Sequence, residues 1–160
     1  MPRWTLGLCL TLALVILPAR LTAAPPPTVH RIGWLSAGSP QRDPDLEAFR
    51  QGLRALGYVE GATLVLEERY AEGKAEQLPA LAAALVQRPV EVIVAGGSAA
   101  LRAAQQATAT IPIVMAVAYD PMGQGFVTSL AQPGGNITGL SWLDAELVGK
   151  RLDLLKETVP

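Results

Sequence analysis

The chain has 160 residues with 13 Lys and Arg against 14 Asp and Glu, and 50% of it is hydrophobic but only 5% aromatic. That balance carries too little charge for a disordered chain, and a net charge of −1 lacks the clustered cations that nucleic-acid binding requires. A single cysteine, Cys9, and a single histidine, His30, leave no disulfide framework, no Cys- or His-based metal centre and no His-dependent catalytic triad to expect.

In chain order, residues 1–24 read as a secretory leader. Arg3 precedes an uncharged run, and Thr22, Ala23 and Ala24 supply small residues for cleavage. The apolar stretch 6–17 has 12 residues, whereas a membrane span needs roughly 20, so a permanent anchor is the weaker reading. Cleavage would leave 136 residues with net charge −3 and no cysteine, suited to an oxidising compartment. Pro25, Pro26 and Pro27 open a stiff spacer over residues 25–28, and residues 29–160 form the folded lobe.

From there short β-branched runs alternate with segments of helical period, the pattern of an α/β fold with an open parallel sheet flanked by helices in three layers. Strands are expected at 31–36, 63–69, 90–95, 113–118 and 137–140, and helices at 44–56, 75–87, 99–108, 123–130 and 145–158. The first helix is framed by Asp43 as N-cap, Pro44 at its first position and Gly57 as its stop. Pro79 must lie in the first turn of the second helix, and the apolar run 90–95 marks a central strand covered on both faces.

Ligands of such sheets bind beyond the carboxyl ends of the strands. The loops there hold Ser36, the Gly96-Gly97-Ser98-Ala99 turn, Tyr119 with Asp120, and Trp142. The glycines allow close approach, and a helix opening at Ser98 offers free N–H groups to an anion, although a tight turn with a serine cap reads equally from the residues. Asp120 either meets a ligand amine or hydroxyl or caps the expected helix at 123–130. Ser36 is either a contact or a turn hydroxyl. Trp142 lines a cleft or covers the sheet edge, Trp34 belongs to the core, and His30 sits solvated on the surface. Phosphate-loop, dinucleotide and nucleophile-elbow motifs are absent, and Glu67 and Glu68 point to opposite faces of their strand.

The stretches Arg31-Ile32-Gly33-Trp34-Leu35-Ser36, Phe49-Arg50-Gln51-Gly52-Leu53-Arg54-Ala55-Leu56-Gly57-Tyr58, and Pro133-Gly134-Gly135-Asn136-Ile137-Thr138-Gly139-Leu140-Ser141 carry a resemblance. With Asp120-Pro121 and Gly149-Lys150-Arg151-Leu152, the sequence resembles the ABC_sub_bind family, the substrate-binding proteins of ABC transporters with a type I periplasmic binding-protein fold. The resemblance implies two lobes closing on a small solute such as an amino acid or related carboxylate, and delivery to a membrane permease. It implies no catalysis and no cofactor. By position, Ser36, Gly97, Ser98, Ala99, Tyr119 and Asp120 would face the cleft, with a carboxylate received at Ser98. The sequence corresponds to the N-terminal lobe alone, so a truncated frame or a separate second-lobe chain is expected. The alternatives are a non-functional fragment, or a doubly wound enzyme whose acid, base or cofactor fingerprint is not found.

Overall fold

The structure is a computed structural model that describes residues 28–142 and 144–158. The leader and all but the last residue of the proline spacer lie outside the described residues. Five strands, β1 (His30–Ser36), β2 (Leu64–Tyr70), β3 (Val92–Gly96), β4 (Ile113–Tyr119) and β5 (Ile137–Trp142), form one sheet in the order β2-β1-β3-β4-β5. Every pairing is parallel, with Ser36 opposite both Tyr70 and Gly96 at the carboxyl end.

Helices α1 (Pro44–Ala55), α2 (Leu78–Val86), α3 (Ser98–Ala107) and α4 (Asp144–Thr158) complete the elements, with one-turn 3-10 segments before α1 and α2. Right-handed crossovers place α1 on one face of the sheet and α2 with α3 on the other, because the chain reverses its direction of travel across the sheet after β2. Alternation along each strand sorts the core accordingly. Leu35, Ile93, Ile113 and Met115 pack with Leu78, Leu85 and Leu101 on the α2–α3 face. Trp34 and Val94 pack with Leu46 and Phe49 of α1 on the other.

The α1 face is covered over only part of its width. Beyond α1 a hollow of about 300 Å³ is lined by Phe49, Val114, Ala116 and Leu140. Helix α4 leaves Leu152, Leu154 and Leu155 exposed.

The expected framing of α1 is present: Asp43 accepts from the Leu46 amide, Pro44 opens the helix, and Gly57 has φ 88°. The helix expected at 123–130 does not form. Gly125, at φ 74°, breaks the helical run after one turn, and Phe126 and Val127 fold back instead to bond to the Pro121 carbonyl. Both side chains are buried in the core, so the apolar residues that suggested a helix serve a compact loop. His30 is also better placed than expected: its Nδ1 lies 2.9 Å from Glu91 Oε2, and its ring meets Tyr58 edge-on. The hydrogen bond from His30 holds the Glu91 carboxyl below its ordinary range.

Candidate functional site

The order of the sheet reverses between β1 and β3, and the crevice outside a parallel sheet opens at such a point. Three of the candidate residues lie in the turn from β3 into α3. Gly97 takes φ 95° and ψ 163°, a conformation that L residues avoid, and its added Cβ would meet nothing within 4 Å, so the space above it is open. This residue, not Ser98, occupies the N-cap position of α3; Ser98 and the exposed Ala99 are the first two helical residues. No side chain caps this terminus, so its first N–H groups lie unpaired at the crevice.

Ser36 is only 8% exposed, and its Oγ accepts the Gly38 amide at 3.1 Å. That is the turn role, at a place that also touches Gly96 from the neighbouring strand. The loop after β1 is tied to the loop after β2 by three backbone bonds: Ala71 N to Ser36 O at 3.0 Å, Glu72 N to Gly38 O and Gly73 N to Ala37 O, both at 2.8 Å. Glu72 stands in this second loop with φ 51°.

At the end of β4, Tyr119 is 56% exposed and its ring stacks against Trp142 at the end of β5, centroids 6.3 Å apart and tilted by 38°. Register explains the meeting, since Tyr119 and Trp142 are paired residues of adjacent parallel strands. The aromatic pair stands at the same carboxyl edge of the sheet as the start of α3. Asp120 comes next with φ 40°, and its Oδ1 accepts the Gly123 amide at 2.9 Å. A Cβ on Gly123 would fall 2.1 Å from Asp120 Oδ2, so any side chain there would push the carboxylate out of its cap. Asp120 therefore caps a turn, with no helix after it.

Gln124 has no signal in the sequence, yet it joins two of these groups. Its Nε2 donates to the Tyr119 carbonyl and to Ser98 Oγ, the latter at 3.4 Å, while Arg102 Nη2 donates to its backbone carbonyl at 3.3 Å. The Arg102 guanidinium also lies 4.8 Å over the Phe126 ring. Ser98, Ala99, Arg102 and Gln124 line one side of an open groove of about 350 Å³, with Leu78 and Pro79 on the other. Among the described residues no group of three or more His, Cys, Asp or Glu side chains could hold a metal ion.

This edge combines the uncapped start of α3 with an exposed aromatic pair at Tyr119 and Trp142. Residues 37–160 match the model of the family described as ABC transporter substrate binding protein. The chain belongs to this family. Similar proteins include a tyrosine-binding protein of Clostridioides difficile strain R20291, 31% identical over 121 residues, covering 76% of this chain and 34% of that protein. Among solved structures, an ABC domain from Streptococcus pneumoniae in complex with L-Trp is 28% identical, with TM-score 0.63 over 71% of this chain and 39% of that one. A conserved domain protein from Vibrio cholerae O1 biovar El Tor strain N16961 is 34% identical, with TM-score 0.70 over 83% and 45%. The chain thus spans about a third of the length of its curated relative and less than half of the solved ones. Its five-stranded parallel sheet is the fold of this substrate-binding family.

Proposed function

We propose that this chain supplies one wall of an extracytoplasmic solute-binding site in an ABC importer, receiving an amino acid or related carboxylate without chemical change. The observation that carries the reading is that the uncapped start of α3 and the paired Tyr119 and Trp142 both stand at the carboxyl edge of the sheet. Unpaired N–H groups at a helix start favour a carboxylate, and the aromatic pair favours an apolar or aromatic side chain. A tyrosine-binding relative and a neighbour holding L-Trp support that choice of ligand. The leader-like residues 1–24 support export, and no helix among the described residues is long and apolar enough to cross a membrane.

In this reading Gly97, Ser98 and Ala99 hold the carboxylate, Tyr119 and Asp120 meet the rest of the solute, and Ser36 shapes the floor between them. A pocket normally covers most of its ligand, so a second lobe closes over this edge and a membrane permease takes the released solute. Calorimetric titration with L-tryptophan, L-tyrosine and L-leucine tests the proposal. Saturable binding of an amino acid supports it, and the absence of saturable heat with all three overturns it.

A further inference from the structure

Gln124 determines which way the Ser98 hydroxyl can point. The Tyr119 backbone oxygen only accepts hydrogen bonds, so the carboxamide atom facing it is the NH2 of Gln124, not its oxygen. That assignment directs the second amide hydrogen to Ser98 Oγ, 3.4 Å away. A hydroxyl that accepts from one side cannot aim its own hydrogen there, and among the described residues the Ser98 hydroxyl has no protein acceptor. Its hydrogen is therefore available to whatever occupies the crevice. Gln124 is held in turn by its own amide on the Asp120 carbonyl at 3.0 Å and by Arg102 on its carbonyl.

We infer that Gln124 is a positioning residue that turns the Ser98 hydroxyl hydrogen toward the crevice, where it donates to a carboxylate. The inference rests on the proposed binding function and extends it to a residue with no direct part in holding the solute. With the α3 amides beside it, the Ser98 hydroxyl adds a further donor for a carboxylate.

The test is calorimetric titration of the full chain with L-tryptophan and with tryptamine, which keeps the ring and amine but lacks the carboxylate. Wild type is expected to prefer L-tryptophan. Gln124→Met should weaken L-tryptophan binding about tenfold, the size of one hydrogen bond to a charged group, and leave tryptamine unchanged. In a Ser98→Ala background the same substitution should have no further effect, an outcome that a merely structural role would not produce. Thermal unfolding checks that each variant folds. If wild type binds L-tryptophan and the Gln124 variants match it, or if the Ser98 and Gln124 effects are additive, the inference falls while the proposed function stands. If wild type binds neither probe, L-tyrosine nor L-leucine, both fall together.

Discussion

Trp34 Nε1 donates to Asp43 Oδ2 at 2.9 Å, while the other oxygen of the same carboxylate accepts the Leu46 amide at 3.0 Å. One side chain thus caps α1 and satisfies the only polar atom of a tryptophan side chain that is almost wholly buried. Asp43→Ala removes both bonds at once. The lost cap is worth about 1 kcal/mol and the stranded indole N–H about 1 to 3 kcal/mol, so a loss of roughly 2 to 4 kcal/mol is expected. Chemical denaturation checks this, and adding Trp34→Phe to Asp43→Ala should recover part of the loss because the unpaired donor goes with it.

Tyr70 ends β2 with its hydroxyl buried beside Glu68. Burial, and after it the negative charges of Asp43 and Glu68, push its phenol well above the ordinary value of 10.0. The unfolded chain therefore releases this proton first as the solution turns alkaline, and the folded state holds more protons than the unfolded one. Stability is full below the ordinary value and falls as pH rises through it. Tyr70→Phe should leave the thermal midpoint at neutral pH nearly unchanged and flatten its decline in the alkaline range. An equal alkaline decline in both proteins would contradict this origin.

Glu72 and Gly73 have φ 51° and 82°, and Lys74 N bonds to Ala71 O at 2.8 Å, which makes residues 71–74 a tight turn with both central residues left-handed. Glutamate is strained there, and glycine is not. Glu72→Gly should raise stability by about 0.5 to 1 kcal/mol, the net of relieved strain and a more flexible unfolded chain. A small rise in thermal midpoint is the expected reading, and Glu72→Gln should show none.

Gly139 lies inside β5 with φ 135°, and a Cβ there would sit 2.3 Å from the Met115 carbonyl oxygen and 2.6 Å from its nitrogen. Both atoms are backbone of the adjacent strand, so nothing flexible can move aside. Gly139→Ala should separate β4 from β5 and cost about 4 kcal/mol or more, enough to abolish a cooperative thermal transition in a domain of ordinary stability.

Trp142→Ala removes the ring on which Tyr119 stacks and half of the aromatic pair. A solute ring that packs on Trp142 would lose an aromatic contact worth about 0.5 to 1.5 kcal/mol beyond its buried area, so affinity for L-tryptophan should drop up to about tenfold. Because Trp142 also gives up its contact with Tyr119, the thermal midpoint without ligand should fall slightly.

Much of the fold was readable because its signals are local. The apolar run of β3, the Asp43–Pro44 start of α1 and the alternation of strand and helix each depend on neighbouring residues, and each is present. The segment after Pro121 differs from the expected helix at 123–130 because the left-handed φ of Gly125 depends on the loop's own closure, which no local pattern shows. In the site, the glycine turn after β3 was visible as composition. The meeting of Tyr119 with Trp142 needed the register of two strands, and Gln124 reaches Ser98 across 26 positions of sequence, which no local pattern records.

The three backbone bonds between the first two loops give the rim of this wall a mechanical character. Loops that would otherwise sample many shapes are stitched together by atoms every residue possesses, so side chains on the rim can vary without loosening it. If the proposed function holds, a solute arriving there meets a surface already ordered by folding, and little freedom remains to be lost on contact. Specificity can therefore change by substitution at the rim, whereas inserting a residue into either loop would shift the whole seam and the floor at Ser36 with it.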